Sequence, residues 1–176
     1  KQVGWEGLRP LPPPPEEARM HGARHSRERD AEAVSYHYDL SNDFYRLVLG
    51  PTMTYSCAYY RSEDMGLDEA QESKYELICR KLGLQPGMRL LDVGCGWGGM
   101  VLHAARHHGV RAVGVTLSSA QHELATKRIA DAGLTDLVEV RVQDYRDVDD
   151  GPYDAISSIG MFEHVGRKRL GEYFSH

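Results

Sequence analysis

Residues 89–99 read Arg-Leu-Leu-Asp-Val-Gly-Cys-Gly-Trp-Gly-Gly, an apolar strand that ends in a cluster of glycines just before a helical pattern begins. Glycine has no Cβ, so the backbone N–H groups of such a turn can approach a ligand closely. In an open α/β sheet, the first strand-to-helix turn lies at the carboxyl edge of the strands, where cofactors bind. The stretch therefore predicts a site for an adenosyl or nucleotide cofactor.

The glycine spacing leaves three interpretations open. Gly94, Gly96 and Gly99 satisfy the dinucleotide pattern G-x-G-x-x-G, and a turn with a purely structural role is the plainest alternative. Asp92 disfavours a dinucleotide because its carboxylate would repel a pyrophosphate, whereas it favours the sulfonium and ammonium groups of S-adenosylmethionine. The acid expected about 20 residues later for ribose hydroxyls is replaced by Gly-Val-Thr-Leu at 114–117. We therefore favour S-adenosylmethionine.

Composition and charge exclude several classes of protein. The chain has 176 residues, a formal net charge of -5 and a pI of about 6.0, which suit one domain and give no nucleic-acid signature. Cys57, Cys79 and Cys95 lack metal-ligand spacing, so we expect free thiols in a reducing compartment and no metal site. No apolar run reaches membrane-spanning length, and we expect a cytoplasmic protein that is soluble or peripheral to a membrane. The basic run 167–169 is a solvated helix face or a contact for lipid phosphates.

The composition changes along the chain and predicts three segments. Residues 1–32 combine prolines with mixed charges and are predicted to form a linker. Residues 33–84 show helical apolar spacing and are predicted to form a helical lid over the substrate and the cofactor, with a break near 40–42 and a helix over 68–82. Residues 85–176 are predicted to form the N-terminal part of an S-adenosylmethionine-binding domain.

Strand and helix patterns alternate within this last segment. The predicted strands lie at 89–94, 111–117, 137–143 and 153–160. The predicted helices lie at 98–108, 119–132 and about 167–174. Such alternation predicts an α/β fold with a doubly wound parallel sheet and right-handed crossovers, the Rossmann-like type of class I methyltransferases. Because that sheet has about seven strands, we expect the chain to be truncated after strand four, with an open sheet edge that leaves a homodimer as an alternative assembly.

Five sequence strings occur in order along the chain. Besides the glycine turn, they are His-Tyr-Asp-Leu-Ser-Asn-Asp-Phe-Tyr at 37–45, Thr-Tyr-Ser-Cys-Ala-Tyr-Tyr at 54–60, Gly-Val-Thr-Leu-Ser-Ser-Ala-Gln at 114–121 and Ser-Ile-Gly-Met-Phe-Glu-His-Val-Gly at 158–166. Together they resemble the cyclopropane-fatty-acyl-phospholipid synthases and the mycolic acid cyclopropane synthases, a family of S-adenosylmethionine-dependent methyltransferases. The glycine turn suits any enzyme that uses this cofactor, whereas the Tyr-Ser-Cys-Ala-Tyr and Phe-Glu-His strings are narrower.

The resemblance implies roles for individual residues. The positions that match cofactor contacts are Tyr55, Ser56, Asp92, Gly94, Gly96, Gly98, Thr116, Leu117, Gln121 and Tyr145. The positions that match ligands of a bicarbonate ion are Cys57, Glu163 and the backbone of Ile159, and His164 is a further catalytic candidate. The family's other bicarbonate ligands, a histidine and a tyrosine, lie further downstream. Plainer alternatives are a packing role for Cys57, and a helix cap or solvated side chain for Glu163 and His164.

The resemblance also implies a reaction. It is methylene transfer from S-adenosylmethionine to the cis double bond of an unsaturated phospholipid acyl chain, which forms a cyclopropane. An isolated alkene is a weak nucleophile, so the reaction passes through a cation that water would intercept, and the site must be dry. Aromatic faces stabilise such a cation, with Tyr55, Tyr59, Trp97 and Phe162 as candidates, and bicarbonate is the expected base. The alternatives are a methylene-branched, methyl-branched or hydroxylated product, or a non-catalytic fragment that binds S-adenosylmethionine.

Overall fold

The computed structural model describes residues 21–23, 26–38 and 41–175. Most of the predicted linker, and residues 39 and 40 within the 37–45 string, lie outside the described residues. Within the described part of the chain, no helix combines the length and the apolar character needed to cross a bilayer.

Helices and strands alternate in the second half of the described chain. In chain order the elements are α1 (Arg27–Tyr38), α2 (Asn42–Leu49), α3 (Leu67–Leu82), β1 (Arg89–Val93), α4 (Gly99–His108), β2 (Arg111–Thr116), α5 (Ser119–Asp131), β3 (Val138–Val142), β4 (Ala155–Ser157), α6 (Phe162–Val165) and α7 (Leu170–Tyr173). Short 3₁₀ turns lie at Tyr145–Asp147 and Arg167–Arg169.

The four strands form one parallel sheet in the order β3-β2-β1-β4. Leu90 of β1 pairs with Ala112 of β2 on one side and with Ala155 of β4 on the other. The strand order therefore reverses beside β1, and ligands of doubly wound folds bind at the carboxyl ends of the strands at such a point. The predicted fold class is confirmed, and the glycine turn lies at the expected edge.

The core packs the sheet against helices and supports the end of β1. Leu90, Val101 and Val110 are completely buried in the largest apolar cluster, and burying each such side chain contributes roughly 1.5–3 kcal/mol. A second cluster joins Trp97 of the glycine turn to Tyr45 of α2. Apolar packing therefore supports the turn from two sides.

Local sequence signals explain the ends of three helices. α3 ends at Gly83 and α4 at Gly109, whose φ angles of 62° and 64° are left-handed. α5 begins after Ser118, whose Oγ accepts a hydrogen bond from the N–H of Gln121 at 3.2 Å. The predicted boundaries of α3, α4 and α5 are confirmed to within a residue.

The linker prediction is wrong for residues 27–32, because α1 begins at Arg27. This stretch is free of proline and rich in charged residues that form helices readily. Two ion pairs hold the helix: Arg27 Nη1 lies 2.7 Å from Asp147 Oδ1, and Arg146 Nη2 lies 3.2 Å from Asp30 Oδ2. The docked helix thus starts earlier than its apolar spacing indicates.

The segment around and after β4 also differs from prediction. The strand predicted at 153–160 is reduced to Ala155–Ser157, the residues that pair with β1, and Gly160 then turns the chain with a φ of 68°. The helix predicted at 167–174 consists of the 3₁₀ turn at Arg167–Arg169 and α7, and the short helix α6 precedes them, separated by Gly166 with a φ of 78°. Short elements therefore follow the last described strand.

Candidate functional site

A cavity of about 570 Å³ opens at the carboxyl edge of β1 and β2. Its volume lies within the usual range for small-molecule sites, roughly 300–1,000 Å³. We call residues 92–98 and 115–121 the cradle, and residues 53–57 and 159–165 the rim. Helix α1 lines the cavity through residues that include Asp30 and Val34.

The glycines of the cradle have distinct tasks. Gly94 and Gly96 line the cavity with φ angles of 73° and 54°. A Cβ on Gly94 would lie 2.9 Å from Met161 Cγ, whereas one on Gly96 would enter space with no described atom within 4 Å. Gly98 is buried at the start of α4, and its Cβ would lie 3.3 Å from Ala125 Cβ. Gly98 therefore permits helix packing and Gly94 permits the close approach of Met161, while Gly96 leaves room for a ligand.

Asp92 is almost completely buried at the end of β1, and it also lines the cavity. Ser157 Oγ donates a hydrogen bond to Asp92 Oδ1 at 2.7 Å. Burial raises the pKa of this carboxyl to about 7, although the bond from Ser157 and the charge of Lys74 act in the opposite direction. A ligand with positive charge would favour the ionised carboxylate.

Lys74 is a polar residue near the site that the sequence patterns did not indicate. Its Nζ is buried and donates to Ser56 Oγ at 2.6 Å and to Gln71 Oε1 at 2.7 Å. Burial lowers its pKa to about 8, while Cys57 and Asp92 act to raise it. A lysine on an amphipathic helix usually faces solvent, and only the loop that folds over α3 reveals its burial.

The predicted adenosyl-binding segment forms one wall of the cavity through Thr116, Leu117 and Gln121. Thr116 Oγ1 donates to Gln121 Oε1 at 2.7 Å, and both side chains are buried. Tyr145 also lines the cavity and packs edge-on against Tyr173, with ring centroids 5.5 Å apart. The structure therefore brings these predicted positions together around one space.

The rim holds the predicted catalytic positions more loosely. Ile159 and His164 line the cavity, but Cys57 and Glu163 are exposed and are absent from the described residues that line it. Ser56, the neighbour of Cys57, and Glu163 nevertheless both lie near Gly160, where a Cβ would be 3.5 Å from Ser56 Cβ and 4.0 Å from Glu163 Oε1. The loop before α3 and the start of α6 thus meet at the cavity mouth.

The aromatic candidates divide into two groups. Tyr55 and Trp97 line the cavity, whereas Tyr59 and Phe162 are exposed and are not among the described lining residues. Trp97 is fixed in place because its Nε1 donates to Asn42 Oδ1 at 2.8 Å. Two of the four rings are therefore available to a ligand in the cavity. Tyr55 and Ser56 also lie on this surface, as expected for cofactor contacts.

Residues 25–176 match the family described as mycolic acid cyclopropane synthetase. The chain belongs to this family. The predicted resemblance is confirmed, and the match includes the cradle, the rim and α1.

Relatives of the mycolic acid cyclopropane synthetase family differ in their names and in length. The chain is 53% identical over 180 residues to a protein of Mycobacterium tuberculosis named a "probable fatty acid methyltransferase", with 99% of this chain and 42% of that protein covered. It is 45% identical over 161 residues to the cyclopropane-fatty-acyl-phospholipid synthase of Escherichia coli, covering 89% of this chain and 41% of the relative. The chain thus spans about two fifths of these proteins.

Solved structures of the mycolic acid cyclopropane synthetase family share the fold. A mycolic acid cyclopropane synthase complexed with SAH and CTAB has a TM-score of 0.78 and 47% identity, with 82% of this chain and 50% of that chain covered. Coclaurine N-methyltransferase bound to SAH and N-methylheliamine is more distant, with a TM-score of 0.68, 30% identity, and 72% of this chain and 37% of that chain covered. The parallel sheet is therefore that of S-adenosylmethionine-dependent methyltransferases.

Proposed function

We propose that this protein is an S-adenosylmethionine-dependent C-methyltransferase that converts the cis double bond of an unsaturated phospholipid acyl chain into a cyclopropane. The observation that carries the proposal is the cradle, in which a buried carboxylate and two glycines line one cavity. Membership of the mycolic acid cyclopropane synthetase family supports the class of reaction.

The cradle suits S-adenosylmethionine in space and in charge. Gly96 leaves open space beside its backbone, and Asp92 places a carboxylate where positive charge would stabilise its ionised form. Thr116, Leu117 and Gln121 would contact the adenosyl part, together with Tyr145, which also lines the cavity. When bound, the cofactor supplies an electrophilic methyl group. A solved family member in complex with SAH supports this assignment.

The rim suits the chemistry that follows. Tyr55 and Trp97 present aromatic faces to the cavity, which can stabilise a passing positive charge while apolar walls keep water out. Cys57, Glu163 and the backbone of Ile159 would hold bicarbonate, which supplies a base when bound. The approach of Ser56 and Glu163 to Gly160 supports that grouping.

Lys74 adds a charge that an anion near Cys57 requires. Its ammonium lies 2.6 Å from Ser56 Oγ, beside the proposed bicarbonate ligand Cys57. A pKa of about 8 leaves this lysine mainly protonated at neutral pH. We propose that it offsets the negative charge that Glu163 and the anion bring to the same neighbourhood.

A fatty acid methyltransferase is the second candidate. The identity of 53% to a "probable fatty acid methyltransferase" exceeds the 45% to the cyclopropane-fatty-acyl-phospholipid synthase. In this case the same cation would lose a different proton to give a methylene-branched or an unsaturated methyl-branched acyl chain, or would capture water and lose a proton to give a hydroxylated one. A non-catalytic protein that only binds S-adenosylmethionine would form none of these products.

We propose that the protein is cytoplasmic and contacts the membrane surface, because the acyl chain of its proposed phospholipid substrate would have to reach the cavity from a bilayer. Phe44, Leu47 and Val48 are exposed apolar side chains on α2, and Leu47 is 88% exposed. Such side chains support peripheral contact with lipid. A homodimer is a further proposal, and sedimentation of the full-length protein would test it.

Mass spectrometry of membrane fatty acids tests the proposed function. The full-length protein is expressed in cells that lack such an enzyme. The expected result is acyl chains that gain one CH₂ group and that show cyclopropane fragmentation. Branched or hydroxylated chains would favour the second candidate. Unchanged lipids, together with intact cofactor binding by calorimetry, would identify a non-catalytic binder.

A further inference from the structure

A cluster of four side chains joins α3 to α4 and does not belong to the described lining of the cavity. The ligand atoms of Cys79, His103 and His108 all lie within 4.8 Å of one another. Glu76 lies one helical turn before Cys79, and its Oε2 is 2.9 Å from His108 Nε2 and 3.5 Å from His103 Nε2. We call these four residues the helix-pair cluster.

One nitrogen of the cluster lacks a satisfactory partner. His103 Nε2 is buried, and it forms no hydrogen bond with any described residue. Its distance of 3.5 Å from Glu76 Oε2 is too long for a good hydrogen bond, and the same oxygen already contacts His108. Leaving a buried polar atom without a hydrogen-bond partner destabilises the folded state. A ligand in the cluster would remove this destabilisation.

We propose that the helix-pair cluster binds a divalent transition metal of the zinc type and joins α3 to α4. Thiolate, imidazole and carboxylate are the groups that bind zinc in proteins, at about 2.0–2.3 Å. Tetrahedral coordination at these lengths separates ligand atoms by about 3.3–3.6 Å. The atoms within 4.8 Å of one another need to close by little more than an ångström. Small rotamer changes achieve this closure.

The ligand set indicates a structural site and not a catalytic one. Four protein ligands fill a tetrahedral zinc ion and leave no position for water, as in structural zinc sites. The site also has a mechanical consequence, because α3 carries Lys74 and Tyr75, which lie beside the cavity. A metal that fixes α3 against α4 would hold both side chains in place.

The spacing of the cysteines predicts no metal site, whereas the folded chain brings Cys79 together with His103 and His108. Glu76 and Cys79 lie on α3, whereas His103 and His108 lie on α4 after an intervening strand. Zinc motifs recognised from sequence place ligands a few residues apart in pairs that include two cysteines or two histidines. Here only helix packing brings the two halves together.

Metal titration of the purified full-length protein tests the proposal. Co²⁺ added to metal-free protein should saturate at one ion per chain and give the visible bands of tetrahedral cobalt with a thiolate-to-cobalt charge-transfer band. Zn²⁺ should displace it and raise the melting temperature. His103→Ala and His108→Ala should each weaken affinity by at least about 10- to 100-fold, the loss typical even of outer-shell partners.

His107→Gln is the matched control, since His107 is exposed on the same helix and lies outside the cluster. It should bind Co²⁺ as the wild type does. An equal loss of Co²⁺ affinity in His107→Gln and His108→Ala would overturn the proposal, because exposed histidines would then be the metal ligands. Absence of saturable binding, or of the charge-transfer band, would also overturn it. Glu76→Gln tests the site without altering the buried Cys79.

Discussion

The cradle and the rim enclose the same cavity but are built differently. In the cradle, the backbone N–H groups of Gly94 and Cys95 both donate to the carbonyl of Val115 at 3.0 Å, and Trp97 is only 2% exposed. The rim carries exposed side chains at Cys57 and Glu163 on a loop and on a four-residue helix. The cradle is fixed by the sheet, whereas the conformation of the rim depends on short elements.

The difference assigns separate tasks to the two parts. Buried, hydrogen-bonded turns keep one conformation, which suits a cofactor that every turnover needs in the same place. Short exposed elements open at low free-energy cost, which under the proposed function would suit the passage of a long acyl chain. We therefore expect changes in the cradle to alter cofactor affinity and changes in the rim to alter turnover.

Glu163→Gln in the full-length protein gives the largest expected effect under the proposed function. Loss of one positioned acid–base partner lowers the rate by about 10² to 10⁴-fold, while the affinity for S-adenosylmethionine should remain close to that of the wild type. Turnover and calorimetric affinity are measured across a bicarbonate series, which should partly restore the rate. Cys57→Ser should be milder than Cys57→Ala.

The control for Glu163→Gln is Glu123→Gln, an exposed carboxylate on α5. It should leave turnover and affinity unchanged. Wild-type turnover in Glu163→Gln would remove that residue from the mechanism. A loss confined to cofactor binding would place Glu163 with the cradle and break the comparison.

Gly94→Val should give the second largest effect, on affinity. The side chain would meet Met161 in a backbone region with a φ of 73°, so strain of roughly 1–3 kcal/mol adds to the loss of space. We expect S-adenosylmethionine affinity to fall by about 10²-fold. Gly87→Val is matched, because its φ is 86° but its surroundings are open. This control should lower the melting temperature and preserve affinity, and tighter binding of NAD to the wild type would contradict the proposed cofactor.

Asp92 should make cofactor binding depend on pH. Its pKa is about 7 in the free protein, so a cationic ligand that favours the carboxylate must release a proton below that pH. Affinity should then fall by up to about tenfold per pH unit as the pH decreases below 7. Calorimetry in buffers of different ionisation enthalpy measures the released proton. Asp92→Asn should bind more weakly at pH 8 and should lose the pH dependence, and a pH-independent wild type would refute the argument.

The same shift has a consequence for the stability of the free protein. The pKa of Asp92 is raised from 3.8 to about 7 on folding, so the unfolded chain loses its proton first as the pH increases. The contribution of Asp92 to stability is therefore highest below about pH 4 and decreases until about pH 7. Asp92→Asn should flatten the melting temperature over this interval.

The smallest expected effect concerns α1, which lies over the cavity. Arg27→Ala removes an ion pair with Asp147 whose side chains are about half exposed, so it should cost at most about 1 kcal/mol, and less at high salt. Hydrogen exchange should increase in residues 27–38 and not in the cradle. Lys127→Ala, which removes the exposed pair with Asp131, is the control and should leave exchange in α1 unchanged. Faster exchange throughout the cradle after Arg27→Ala would show that the two parts are coupled.

The sequence predicts the cradle well because each signal there is local. Alternating strand and helix patterns, a glycine after α3 and Ser118 before α5 each determine a boundary without distant contacts. The position of Asp92 is also predicted locally, because a residue at the carboxyl end of a strand lies at that edge of the sheet. The family strings then locate the remaining cradle residues.

The features that the sequence does not predict depend on contacts between distant segments of the chain. Lys74 has the pattern of an ordinary helix lysine, and its burial results from hydrogen bonds to a loop near Ser56. The start of α1 depends on ion pairs with residues more than a hundred positions away. β4 shortens because only three residues find partners on β1. The periodicity of apolar residues reports only local spacing, so it does not predict such pairings.

The pairing of β4 with β1 has a consequence for the order of assembly. Leu90 meets Ala155 only after some sixty intervening residues have been synthesised, whereas its pairing with Ala112 needs far fewer. Contacts between close segments form first, because closing a long loop costs more entropy. A nascent chain therefore completes the glycine turn and its neighbouring strand before Met161 and Glu163 can reach it. Under the proposed function, the segments that would hold the cofactor therefore form before the segment that would act on it.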